Sequence, residues 1–363
     1  MTIKKLSQLE KGMYDDAAKK GLSLTQFLDE LTRKGEIDGD LVKPEARNGR
    51  GERVDSFKQL LAAAGIRTKG EFAQTGDAFL SDPNNRVLFP EFVNRTYRDA
   101  ETDALNALQI SDVVAYRVGI DGSAYRTGVI AAGQEKDLEF GRVAQGAELP
   151  VYSIVLSEQA VNLYKYGGVL KMSYEAVRRA TLPMVTRYVQ KIARAQGRRR
   201  VKQALGVGMN GDGNLNPAPA SAASSSTAFA LVDLIRLQMD GINNGAQFNI
   251  ITGDTAELSA VLALDVFVSP TATSRGADFR DTGEWPTILG MHPRLALVGS
   301  PLEGSKKLLG IETGQGLEEI YETGSQLTES DKLIDTQFER IAISENLGYS
   351  KPDVQAFRTI AHA

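Results

Sequence analysis

The sequence predicts an α+β protein, on three observations. Residues 110–163 carry β-branched runs, ISDVVAYRV and VYSIVLSEQAVNLYKY. A long helical pattern then extends from about Pro183 to Leu205. Further on, FNIITGDTAELSAVLAL reads as strand, turn and helix, the order of an α/β layer. The 363 residues are 42% hydrophobic and 24% charged, which is enough apolar content for a sizeable core. A formal net charge of −4 makes no demand for nucleic acid or an anionic membrane. With no cysteine, disulfides, thiolate metal sites and cysteine nucleophiles are excluded. The N-terminal MTIKKLSQLEKGMYDD has no apolar leader region, and no segment approaches ~18 continuous apolar residues. The expectation is a protein kept in the cytosol, with no membrane partner.

Residues 1–60 hold 12 Lys/Arg and 11 Asp/Glu and read as a charged helical extension without a core of its own. Capping boxes signal two short helices there. Ser23 with Gln26 opens LTQFLDEL, and Ser56 with Gln59 opens FKQLLAAAG, stopped by Gly65. The segment LFPEFVNRTYRD places aromatic anchors on an arm expected to lie across something else. Gly119–Pro150 contains glycines at 119, 122, 128, 133, 141 and 146 among scattered charges. As one hairpin its arms of ~16 residues would each reach ~50 Å, at ~3.3 Å per residue, long enough to lie on a neighbour. The long helix begins near Pro183, a residue suited to a first turn. Its stripe Met184, Tyr188, Ile192 and Ala195 is expected to face the core. Other faces carry Arg187, Lys191, Arg194, Arg198, Arg199, Arg200 and Lys202, suited to plain solvent, to phosphate or to an acidic neighbour. A low-complexity connector, NPAPASAASSST, precedes a helix over Phe229–Met239 and the strand FNIITG. Asp254 with Glu257 caps the next helix, and short strands such as RLALVG and KLLGI follow.

Nothing in this order equips the chain for chemistry. Gly206-Val-Gly208-Met-Asn-Gly211 matches G-x-G-x-x-G, but a dinucleotide site needs a strand before it and a helix after it. Here a helix precedes and a polar connector follows, so the glycines read as a helix stop. His292 and His362 are seventy residues apart and form no metal-ligand pair. Asp331, Asp335, Glu339 and Glu345 make a loose acidic group with no acid–base signature. Neither catalysis nor a cofactor is expected.

In this order the features resemble the major capsid proteins of tailed bacteriophages, with the Hong Kong 97-type fold. VAQGAELPVYSIVLSEQAVNLYKYGG is similar to the return arm of that family's extended loop and its first peripheral strands. SYEAVRRATLPMVTRYVQKIARAQGRRRVKQAL resembles the spine helix, and NGDG the turn that ends it. FNIITGDTAELSAVLAL and ILGMHPRLALVGSP resemble axial elements, and FERIAISENLGYSKPDVQAFRTI the closing peripheral strands. The resemblance implies a charged helical N-terminal extension (1–84), an N-arm (85–112) and an extended β-hairpin loop (113–155). A peripheral domain with the spine helix (156–213), an axial α/β domain (214–322) and a peripheral return (323–363) complete it. It also implies self-assembly into hexamers and pentamers of an icosahedral shell around double-stranded DNA, in the virion, with portal, scaffold or decoration proteins as partners. An encapsulin-type compartment shell, which shares the fold, is the alternative. Loop contacts are expected from Arg126, Lys136, Glu139, Arg142 and Glu148, and N-arm contacts from Phe89, Phe92, Arg95 and Tyr97. Some relatives weld subunits through a loop lysine and an asparagine. Lys136 is the only loop lysine and the matching terminal stretch offers Gln337, so no weld is expected. The N-terminal region resembles a segment that many relatives remove, and is expected to stay here as a charged brace.

Overall fold

Capping chemistry sets where the helices begin. The computed structural model describes the chain apart from residues 1–2, 4–7, 10–11, 50, 71, 81–82, 101–105, 131–153, 226, 265–266, 268–284, 326, 334–336 and 363. Helices α1 (Gly12–Lys19), α2 (Leu24–Arg33) and α3 (Ser56–Ala63) come first, then α4 (Asp77–Leu80), α5 (Pro83–Arg86), α6 (Leu88–Asp99) and α7 (Ile110–Val113). Strands β1 (Val114–Ile120), β2 (Ala124–Tyr125), β3 (Gly128–Ile130), β4 (Ile154–Leu156), β5 (Val161–Asn162) and β6 (Tyr164–Ser173) lead into α8 (Tyr174–Arg179) and α9 (Leu182–Asn210). Next are β7 (Ala220–Ala222), α10 (Leu231–Asn243), β8 (Ile250–Gly253), α11 (Thr255–Leu262), β9 (His292–Leu295) and β10 (Lys307–Ile311). The chain closes with β11 (Leu317–Glu322), β12 (Leu327–Leu333), β13 (Phe338–Ser350) and β14 (Phe357–Ala361). Ser23 caps α2 in a reciprocal box with Gln26, and Asp254 caps α11 through the Glu257 N–H, both as the sequence signalled. At α3 the cap is Asp55 rather than Ser56: its carboxylate accepts from the Lys58 N–H, a stronger acceptor one residue earlier.

Two compact units divide the chain. The first comprises Met1–Thr102, Tyr164–Gln196 and Glu322–Asn346. Here β12 pairs antiparallel with the first part of β13, from Leu327 opposite Ser344 to Leu333 opposite Phe338, and β6 pairs with β13 as well. The register sets Asp331 opposite Arg340 and Lys332 opposite Glu339, which assigns part of the loose acidic group to cross-strand positions. Its core joins Leu28, Phe57, Leu60, Phe79 and Leu88 to Leu182, Val185 and Val189 of α9. The expectation of an N-terminal extension without a core is thereby corrected. Apolar residues spaced among the charges, such as Leu24, Phe27, Leu28 and Leu31, form one buried face of α2.

The second unit comprises Asp103–Leu163, Gly197–Tyr321 and Leu347–Ala363. One sheet runs β7-β14-β10-β8-β9, with β10 antiparallel to β14 and β8 and with β7 and β9 added in parallel. The low-complexity connector thus contributes an edge strand, β7. Helices α10 and α11 pack on this sheet through Leu234, Leu237, Leu258 and Val261. The last part of β13 pairs with β11, beside β1, and β3 pairs with β4 at the root of the glycine-rich segment.

Candidate functional site

Helix α9 carries the longest run of surface chemistry. Over its first half, Leu182, Val185, Val189 and Ala193 are buried at helical spacing. Met184, Tyr188 and Ile192, the stripe expected to face the core, are instead 49%, 55% and 47% exposed, and Ala195 is exposed too. Both sets repeat every turn, so the helix has two apolar stripes and periodicity alone does not say which one the subunit buries. Arg187, Lys191, Arg194 and Arg198 are exposed, and Lys202 is half-buried. Among the described residues, Arg187, Lys191 and Arg194 make no ion pair, and at i, i+4 and i+7 they form a row next to the outer apolar stripe.

The second half of α9 is buried where sequence reasoning saw only cations. The Arg200 side chain is 8% exposed, and its Nη2 donates to both oxygens of Glu319, at 2.7 and 2.8 Å. Arg117 Nε adds an ion pair at 2.6 Å to the same carboxylate, and its guanidinium lies over the Tyr321 ring. Glu318, next along β11, is also buried; it accepts from Thr127 Oγ1 at 2.8 Å and from the Tyr116 hydroxyl. Burial, then the bond to Glu318, push the Tyr116 hydroxyl well above its usual pKa. These groups tie β1 and the segment before β3 to β11. Two consecutive glutamates in a strand carry no sequence signal of burial, and only the opposed cation and hydroxyls reveal it.

The G-x-G-x-x-G stretch is structural. Gly206 and Gly208 lie inside α9 instead of ending it, and Gly211, with φ +89°, is the stop. A Cβ on Gly208 would sit 2.8 Å from the Phe357 ring, so the glycine allows close helix-to-strand packing. After it, Lys351 caps the helix: its ammonium is buried and donates to the Gly208 carbonyl at 2.9 Å. His362 pairs with Glu257 at 2.7 Å, edge-on to Phe229, and His292 is exposed at the start of β9. Among the described residues no group of three or more His, Cys, Asp or Glu is placed to hold a metal, and no helix is long and apolar enough to cross a membrane.

The expected arm is a helix, α6, and its aromatics are used inside the first unit. Phe89 and Phe92 are buried with Phe79, at centroid distances of 5.3 and 5.4 Å. Arg95 makes a two-pronged pair with Asp55 at 2.8 and 2.9 Å, and Tyr97 packs half-buried against the same core. The reading of an arm laid across something else is corrected for this segment, because an amphipathic helix satisfies its apolar face locally. Of the loop residues, Arg126 is exposed between β2 and β3; Lys136, Glu139, Arg142 and Glu148 lie outside the described residues.

Residues 157–334 match the model of the phage capsid protein family. Among solved structures, the chain is similar to the capsid of the cyanophage P-SCSP1u, at 12% identity and TM-score 0.52, over 72% of this chain and 90% of that one. It is equally similar to a phage-related protein from Bordetella bronchiseptica RB50, at 9% identity and TM-score 0.52, over 75% of this chain and 97% of that one. No curated protein sequence matches. At such identities the structural likeness establishes the fold.

Proposed function

We propose that this chain, a phage capsid protein by its match over 157–334 and of the Hong Kong 97-type by fold, is the major capsid protein of a phage head. It assembles into hexamers and pentamers that close a shell around double-stranded DNA. The family match carries this reading, and it favours a phage head over an encapsulin-type compartment. The exposed face of α9 supports it, because a subunit destined to stay alone gains nothing from Met184, Tyr188 and Ile192 on its surface. On this reading the loop residues Arg126, Lys136, Glu139, Arg142 and Glu148 meet a neighbouring copy. The cationic row Arg187, Lys191 and Arg194, with Arg198 and Lys202, takes acidic groups of that neighbour; Glu135, Asp137 and Glu139 alternate along the loop sequence and suit it. Contact of the row with packaged DNA is the competing assignment.

Electron microscopy of the purified protein tests the function. Closed shells or capsomers are expected, and a stable monomer at tens of micromolar would refute it. Lys191→Glu, on an exposed position, separates the two assignments of the basic row. Loss of DNA-free assembly indicates a neighbour, and intact empty shells with poorer DNA retention indicate DNA.

A further inference from the structure

A small hairpin before α3 sets two arginines against each other and gives neither an acid. The Val54 N–H donates to the Ala46 carbonyl and the Asn48 N–H to the Glu52 carbonyl, both at 2.8 Å. Between these bonds Arg47 and Arg53 face each other as an antiparallel bridge. A position flanked in this way is the non-hydrogen-bonded pair of a ladder, where opposed side chains come closest and leave on one face. Like charges placed directly opposite are destabilising. Both arginines are exposed, and among the described residues neither makes an ion pair. Of the flanking acids, Glu52 Oε2 accepts from Asn48 Nδ2 at 2.8 Å, and Asp55 is engaged by Arg95.

The hairpin is fixed at both ends, so the two cations are presented together. At its tip the Gly51 N–H donates to the Asn48 carbonyl at 2.9 Å, with Gly51 at φ +79°, and the Glu52 N–H donates to Asn48 Oδ1 at 2.9 Å. At its base Gln59 of α3 clamps both strands. Its Oε1 accepts from the Lys43 N–H at 2.7 Å, and its Nε2 donates to the Lys43 and Val54 carbonyls, each at 2.9 Å. Arg47 Nη1 donates to the Gly51 carbonyl and Arg53 Nε to the Pro44 carbonyl, each at 3.2 Å. One donor of each guanidinium is thus spent on aiming it, and the rest of the fork is left for a partner.

The composition of the hairpin selects the partner. Residues 47–53 read RNGRGER and include no apolar side chain, so a protein partner would find no hydrophobic anchor. They include no aromatic ring either, so unpaired bases would find nothing to stack on. What such a surface fits is the phosphate backbone of a duplex, whose interfaces are polar and cationic. Across 43–53 the sequence sets Lys43, Arg47, Arg50 and Arg53 against Glu45 and Glu52, in a chain of net charge −4. A Cβ on Gly49 or Gly51 would meet nothing within 4 Å; their lack of side chains leaves the tip open to close approach by a bulky polyanion. We propose that the hairpin 46–54 is a phosphate-contacting finger, which binds double-stranded DNA through Arg47 and Arg53 without reading its sequence. It uses residues separate from the basic row of α9. That the DNA is the packaged genome rests on the shell reading above.

The test titrates the full chain, as dissociated subunits, into a fluorescent random-sequence DNA duplex of about 30 base pairs over a series of salt concentrations. Each phosphate contact contributes about 0.9 to the fall of log K with log salt, so R47Q/R53Q should lower that slope by about 1.8. At about 50 mM salt it should weaken binding tenfold or more, equally for duplexes of different sequence. R47K/R53K keeps both charges and should keep the wild-type slope. Without DNA, R47Q/R53Q subunits should melt no lower than wild type, because the opposed charges are gone. An unchanged affinity and slope for R47Q/R53Q overturns the proposal, and so does a slope lost equally in R47K/R53K or a lowered melting temperature. Loss of DNA-free assembly in R47Q/R53Q with DNA binding intact would make the partner an acidic neighbour and also overturn it. Wild-type protein that never assembles removes the shell reading and leaves the DNA titration to be judged by itself.

Discussion

Replacing Glu319 by glutamine asks how much of the second unit depends on one buried carboxylate. The Glu319 side chain is 1% exposed, and both oxygens accept from Arg200, whose own side chain is 8% exposed. Glu319→Gln leaves that guanidinium buried against an uncharged amide. Removing one partner of a buried pair costs about 3–5 kcal/mol. The glutamine oxygen still accepts one hydrogen bond, and Arg117, 55% exposed, turns to water, so the low end applies: about 3 kcal/mol. At roughly 2–4 °C per kcal/mol for a unit of this size, the melting temperature should fall by about 6–12 °C. Thermal unfolding of dissociated subunits, followed by circular dichroism, measures it. The controls are Glu319→Leu, Arg200→Leu and the double variant E319L/R200L, which removes both charges and should be less destabilised than the sum of those two single variants by about 0.5–3 kcal/mol. A glutamine variant within 0.5 kcal/mol of wild type, or a strictly additive double variant, would refute the argument.

Three further outcomes follow from the geometry. Gly208→Ala gains about 1 kcal/mol of helix propensity but drives a Cβ into the Phe357 ring, at an overpacking cost of about 1–3 kcal/mol, so a net loss of up to about 2 kcal/mol in urea unfolding is expected; a gain in stability would contradict the close-packing role. Burial raises the Asp55 pKa, but the Arg95 hydrogen bonds and the Lys58 N–H outweigh it and hold the carboxyl at about 2. A depressed acid stabilises the fold above pH ~4 and loses that contribution as pH falls towards 2, here at most about 2.5 kcal/mol at ~1.36 kcal/mol per unit, so Arg95→Met should flatten the acid limb of helix melting. Burial brings the Lys351 ammonium down to about 8 against the pull of Asp212 and Asp353. Between pH 8 and ~10.4 the unfolded chain binds the extra proton, so stability should rise with pH there, and Lys351→Met should abolish that rise in the urea midpoint.

Local rules were the most legible part of the fold. The caps at Ser23 and Asp254 and the strand FNIITG follow from residues acting within a few positions of themselves. Tertiary partners were not legible. Glu319 reads as an ordinary surface acid until Arg200, 119 residues away, is placed against it. The charged first 60 residues hid a core because Leu28, Phe57 and Leu60 are outnumbered locally and become a cluster only when α9 supplies Leu182 and Val185. Gly208 advertised a nucleotide turn by pattern, whereas its purpose is set by Phe357, 149 residues further on.

The misassigned face of α9 is the more useful discrepancy, because its cause is physical. One apolar stripe at helical spacing is what a subunit needs to dock a helix on its own core, and Leu182, Val185, Val189 and Ala193 supply it. A second stripe at Met184, Tyr188, Ile192 and Ala195 adds nothing to the isolated subunit and raises its tendency to associate. Periodicity assigned burial to the stripe with the larger side chains, which is right when a helix has one destination. Here the larger residues stay outside and the smaller ones face the core. On the proposed shell reading this allocation is economical: the tight interior takes leucine, valine and alanine, and the broad methionine and tyrosine remain for a surface that another copy would cover. If the assembly test succeeds, a second apolar stripe beside the row Arg187, Lys191 and Arg194 becomes a sequence-readable mark of assembly, provided the helix is first seen to have two stripes.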